Sequence, residues 1–232
     1  MSFYKYPAVL IICFILVGFP GLASQEIFKE RTIPVKIVID QYFVRNFNEV
    51  KMKEPAVLAG LATTTPEDFA KGILERLSVR YRQFGIRFLP VAVERIFVGE
   101  RVLLDTEYME ILERRSCQNA EFIVGLTGAA FVSTSPGDNG FVVMVGSANR
   151  YTGRLFSQFA SLGIVMNPKL DFENMMNTLD HEMRHLFGTP HKDEGVLNIA
   201  EKKIFLQEGT FAIRKNRLRK FICTEPNSPN KR

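Results

Sequence analysis

All three histidines of this 232-residue chain lie within one stretch, 181-HEMRHLFGTPH-191. On a helix, residues i and i+4 project from the same face, so His181 and His185 present two imidazoles to a common point. Glu182, one residue on, lies beside that point without having to bind it. Gly188 can take a backbone conformation closed to other residues, which lets the chain turn sharply and bring His191 back as a third nitrogen donor. Three neutral imidazole nitrogens at about 2.0–2.1 Å leave the fourth tetrahedral position open for water, the arrangement of one catalytic Zn2+ ion. Glu182 is then placed to act as general base on that water. The competing reading, three unrelated surface or core histidines, has to produce both spacings by chance.

The elements that must position these residues can be read from periodicity and punctuation. The motif helix is expected over about 171–187, with Asp171 as a candidate cap and Gly188 as its stop; Met175, Leu179, Met183 and Leu186 recur at helical spacing. Residues 34–40, PVKIVID, are apolar and β-branched and predict a buried strand. A helix follows at 66–84, with Thr65 as N-cap, Pro66 at the first helical position, Glu67 and Asp68 in the first turn and Gly85 as C-cap. Residues 86–98 predict a strand interrupted near Pro90. A short helix is expected at 107–116 and a strand at 121–128. Residues 129–140, rich in Ser, Pro and Gly, read as loop. Apolar strands are expected at 141–147 and 162–166, and a last helix over about 199–221 containing Gly209. This order implies a mixed α/β layer with a long helix under the sheet.

His181, Glu182, His185, Gly188 and His191 fill the five defined positions of HExxHxxGxxH, and in this the chain resembles the metzincin metalloproteases. The resemblance extends over residues 33–200. It implies an α/β (α+β) zincin fold with a twisted mixed sheet, long helices including the active-site helix, and a small C-terminal subdomain. Residues 25–232 would form the catalytic domain, with subdomains 33–187 and 188–232 meeting at a cleft that holds the zinc. By the same resemblance, 121-EFIVGLTG-128 is similar to the family's third strand. The stretch 141-FVVMVGS-147 is similar to its edge strand, so Phe141, Val142, Val143, Met144 and Val145 are expected to bind substrate backbone. The implied activity is zinc-dependent endopeptidase hydrolysis of a peptide or protein. The alternative is an inactive zinc-binding domain that serves as a protein-interaction module. Three departures stand out. The family carries a methionine after the third histidine as an apolar base under the metal, whereas the last methionine here is Met183, and 195-GVLN-198 puts Asn198 in that place. Arg184 occupies a position that is often small in the family, and is expected to face solvent. No propeptide cysteine fits between residue 25 and the first strand.

Composition bounds the remaining possibilities. Apolar residues make up 46% and charged residues 24%, which suits a globular domain rather than a disordered or fibrous chain. The N-terminal MSFYKYPAVLIICFILVGFPGLAS has one charge, a short apolar run and small residues before a cleavage point at Ala23 or Ser24; residues 1–24 are expected to be a secretory signal, giving an extracellular or periplasmic protein with no stable membrane span. Its loss leaves Cys117 and Cys223, which are either one disulfide or two unpaired thiols. The formal charge of +5 is concentrated in the tail. Residues 210–232 carry +6, Lys5 adds one, and the rest of the chain sums to −2. The tail cations fit a solvated helix face better than a nucleic-acid surface, and no nucleic-acid partner is expected. Asp180 could support a ligand, and Tyr108 and Tyr151 could stabilise an oxyanion, but solvation and packing are the commoner roles of such residues. A monomer is expected.

Overall fold

The structure, a computed structural model, describes residues 29–56, 64–134, 141–160, 163–190 and 199–226; residues 133–134, 141–144 and 199–202 are described by backbone alone. The predicted signal segment lies outside these residues. In chain order the elements are β1 (Arg31–Asp40), α1 (Gln41–Lys53), α2 (Pro66–Tyr81), β2 (Ile86–Ile96), β3 (Val102–Leu104), α3 (Asp105–Glu113), β4 (Phe122–Thr127), β5 (Ala130–Thr134), β6 (Phe141–Met144), β7 (Gly146–Asn149), β8 (Arg154–Gln158), α4 (Pro168–Leu186) and α5 (Ile199–Asn216).

The main sheet has the order β2-β1-β4-β8-β7. Its first four strands run parallel and β7 runs antiparallel to β8. A parallel sheet is covered on both faces, and its strands are correspondingly apolar. Ile33, Val35, Ile37 and Ile39 of β1 point into one core with Phe43 of α1, Phe69 and Leu77 of α2, and Met175, Leu179 and Met183 of α4. Val38 points the other way, into a smaller core with Tyr108 and Leu112 of α3 and with Phe131 and Phe156. On that second face Lys36 is also buried, where it pairs with Glu94 at 2.6 Å and donates to the Ser116 carbonyl at 2.8 Å. A second sheet, β3-β5-β6, lies beside the first.

Helix α2 begins as its sequence predicts. Thr65 Oγ1 accepts from the Asp68 amide at 3.1 Å, and the following 3-10 turn closes on Gly85 at φ 65°. The register of β1 against β2 slips at Pro90, leaving Val91 as the extra residue of a bulge.

Several expected boundaries differ, each for a physical reason. The loop expected at 129–140 contains β5, and the expected strand at 141–147 is two strands in different sheets, β6 and β7. Residues 163–166 form no strand. The inner strand is instead β8, 154-RLFSQ-158, whose polar residues hide it in sequence. All five of its residues are buried, and the side-chain donors of Ser157 and Gln158 find acceptors there. Ser157 Oγ donates to the Met175 carbonyl at 3.0 Å and Gln158 Nε2 to the Ala129 carbonyl at 2.6 Å. Helix α1 was not expected. Asp40, the last residue of β1, caps it by accepting from the Phe43 amide at 2.7 Å. Helix α4 starts earlier than predicted, capped by Asn167; Asp171 lies inside it and accepts from the Met166 and Asn167 amides, each at 3.0 Å. Helix α5 stops at Asn216 rather than 221, because Phe221 turns in to pack on Phe122 and Phe187.

That turn carries the chain to Cys223, which is joined to Cys117 across a separation of 106 residues. Beside the bond, Arg154 donates to the carbonyls of Leu112, Glu113, Arg115, Thr152 and Thr224. The cross-link closes a long loop and so limits the unfolded chain strongly. Replacing both cysteines by serine is expected to lower the unfolding free energy by about 2–4 kcal/mol. An unchanged urea midpoint would show that the Arg154 contacts hold this end of the chain without the bond.

Candidate metal and catalytic site

The site is built on the last two turns of α4. Its helical end has a specific closure. The Gly188 amide donates to the His185 carbonyl at 2.9 Å, the Thr189 amide donates to the Arg184 carbonyl at 3.1 Å, and Gly188 sits at φ 99°. This is a Schellman closure, which needs a left-handed residue just past the helix. A Cβ on Gly188 would meet only Asn216 Nδ2, at 3.8 Å, so the backbone angle rather than space demands glycine.

The reversal brings the Thr189 carbonyl beneath His185, at 2.6 Å from Nδ1. A carbonyl only accepts, so Nδ1 carries the proton and Nε2 keeps its lone pair. His185 Nε2 lies 3.1 Å from His181 Nε2. Two ligands of a tetrahedral zinc with bonds of about 2.0–2.1 Å stand roughly 3.3 Å apart, so this donor pair fits the ion. His191, the third nitrogen of the sequence motif, lies outside the described residues, as does Asn198. Among the described residues, accordingly, no group of three or more metal-ligating side chains forms.

Glu182 is on the same helix and is 7% exposed. Burial pushes its carboxyl up to about 8. It faces the edge strand β7. A Cβ on Gly146 would fall 2.6 Å from Thr178 Cγ2 and 3.0 Å from Glu182 Cγ, so only glycine lets β7 lie this close to α4. The space beside them is a cleft of about 600 Å³ that Asp105, Met109, Gly146, Tyr151, Glu182 and His185 help to line.

Of the five residues expected to bind substrate backbone, Phe141, Val142, Val143 and Met144 belong to β6, at the edge of the second sheet, and Val145 joins β6 to β7. The edge of the main sheet that borders the cleft is Gly146–Asn149. The sequence signal for one apolar strand over 141–147 spans two consecutive strands, and it missed the second because 146-GSAN-149 is polar and short. Tyr108 is fully buried between Phe131 and Phe156 and is a packing residue. Tyr151 is 77% exposed at the rim of the cleft.

Arg184 does not face solvent. It is buried, pairs with Asp180 at 3.1 Å and donates to the Leu206 carbonyl of α5 at 3.3 Å. Asp180 is thereby a partner of Arg184, and no ligand contact engages it among the described residues. A Cβ on Gly209 would lie 3.0 Å from Arg184 Cδ and Nη1, so the glycine that weakens α5 makes room for the guanidinium. Two further residues of the site carry no local sequence signal. Thr189 contributes only its carbonyl. Phe205 of α5 stacks on His181 with centroids 4.3 Å apart and approaches His185 edge-on at 5.2 Å.

Two expectations follow. Arg184→Ala leaves Asp180 charged in a largely buried position and is expected to destabilise by about 3 kcal/mol, whereas pairing Arg184→Met with Asp180→Asn recovers most of that loss; equilibrium urea unfolding of the variants checks both. The second concerns pH. Glu182 binds its proton more tightly folded than unfolded, so its contribution to stability is fully present below the ordinary carboxyl value and is lost as pH rises through about 8. With chelator present, Glu182→Gln should therefore gain on the parent protein as pH rises from 5 to 8, by on the order of a few kcal/mol. Parallel Tm-versus-pH curves would contradict this.

No protein-family model matches the sequence, and no curated protein does so either. Among solved structures, an archaemetzincin from Methanopyrus kandleri is similar to this chain with a TM-score of 0.50 at 15% identity, over 80% of this chain and 96% of that one. Likeness at that identity is likeness of fold alone, and together with the sheet order and the long helix α4 it gives this chain a mixed α/β fold like that of the archaemetzincin.

Proposed function

We propose that this chain is a secreted zinc-dependent metalloendopeptidase. The observation that carries the proposal is the convergence of His181 Nε2 and His185 Nε2 at 3.1 Å beside a buried Glu182, with Glu182 and His185 lining a cleft bordered by a sheet edge. The fold shared with archaemetzincin supports the same reading. The Cys117–Cys223 bond suits an oxidising compartment, in agreement with the expected N-terminal signal.

His181 and His185 would hold one zinc ion, with His191 expected as the third ligand. Such an ion acidifies a water and polarises a carbonyl. His185 is kept in the ligating tautomer by Thr189, which fixes the direction of its lone pair. Glu182 accepts the proton of the attacking water and delivers it to the leaving amine. Burial would make it a stronger base once ionised. An extended peptide would pair with the free edge of β7, Gly146–Asn149, so recognition runs mainly through substrate backbone. No helix among the described residues is long and apolar enough to cross a membrane.

The test is to express the chain, measure bound zinc and incubate it with casein beside Glu182→Gln. About one equivalent of zinc, with cleavage that falls by at least 100-fold in the variant, is the expected result. Zinc bound without cleavage by either form would favour the alternative, a zinc-binding interaction module. Absence of zinc would overturn both.

A further inference from the structure

We propose that Phe205 is a positioning residue of the metal site, the apolar base on which His181 and His185 are held. This inference rests on the metallopeptidase reading above. The family resembled in sequence has a methionine base after its third histidine, and here Asn198 stands in that place and lies outside the described residues. The structure brings an apolar side chain to the histidines from a different element. Phe205 is 5% exposed, lies over the His181 ring at 4.3 Å with planes inclined by 22°, and meets the His185 ring at 5.2 Å and 60°. One phenyl group therefore touches both ligand rings.

An imidazole lone pair lies in the plane of its ring, whereas Phe205 occupies the face of His181. The contact restricts rotation of the His181 ring and excludes water from that side. His185 is fixed from a second direction by the Thr189 carbonyl. Phe205 is itself held in place, because its neighbour Leu206 accepts from Arg184 and Gly209 of the same helix closes on the Arg184 side chain. Arg184, at a position expected to be small and solvent-facing, thus supports the base indirectly. Groups that orient metal ligands typically influence affinity by about 10–100-fold.

The experiment compares the chain with Phe205→Ala and Phe205→Leu. Zinc affinity is measured by competition with a chromogenic chelator, ligand geometry by the visible absorption of the cobalt-substituted protein, and folding by the cooperative melt of the metal-free forms. Phe205→Ala is expected to melt cooperatively, bind zinc about 10–100-fold more weakly and show altered cobalt bands. Phe205→Leu, which keeps apolar volume without a flat face, is expected to fall between it and the parent protein. Should the alanine variant fail to fold, the leucine variant decides on the same two readouts. Tight zinc binding by the parent, with affinity and cobalt spectrum retained by the folded variants, would reduce Phe205 to packing and leave the metallopeptidase reading intact. If the parent binds no zinc, that reading fails and this inference fails with it.

Discussion

The hydrogen bond between His185 Nδ1 and the Thr189 carbonyl is the contact on which the site depends. It settles which nitrogen carries the proton, and so which lone pair faces His181. It exists because the helix ends in a left-handed Gly188, which turns the backbone under its own last turn. The same turn directs the chain away from the helix axis and along the cleft, where Thr189 and Pro190 help to line the wall below Glu182. The tautomer of His185 and this part of the cleft wall thus share one cause. A helix that continued past residue 187 would lose both.

Around this turn the protein accepts opposing demands. Packing holds Glu182 and the histidine rings in place, yet burial of Glu182 disfavours its ionised form. The surrounding fold supplies the rigidity. Gly146 lets β7 press on α4, Arg184 ties α4 to α5, and Phe205 is delivered by α5 to the histidine rings. Farther away, buried polar side chains do the work that apolar packing does elsewhere. Asp40 caps α1 and also accepts from the hydroxyl of Thr127, while Arg154 satisfies five carbonyls near the disulfide. These groups stay buried because each has partners.

Much of this was legible in the chain itself. The i, i+4 histidines, the intervening glutamate and the helix-ending glycine mark the candidate site and the element that carries it, since helical spacing is a local property. β1, α2 and its Thr65 cap, and β4 also announce themselves through periodicity and capping. The misplaced elements are those whose burial depends on distant partners. β8 looks polar until Met175 and Ala129 provide acceptors for Ser157 and Gln158. Arg184 looks solvated until α5 crosses it. One strand was expected over 141–147 where two form, because apolar 141–145 outweighs the short polar 146–149.

By itself, then, the sequence determined the candidate ligands and candidate base, the turn glycine and the mixed α/β class, because each rests on spacing along one segment. Only the tertiary structure decided that Thr189 orients His185, that Phe205 underlies both histidines, that β7 borders the cleft and that Cys117 meets Cys223. Those pairings join positions far apart in the chain or rest on backbone atoms, and side-chain type carries no record of a backbone carbonyl or of which distant helix will cross above it.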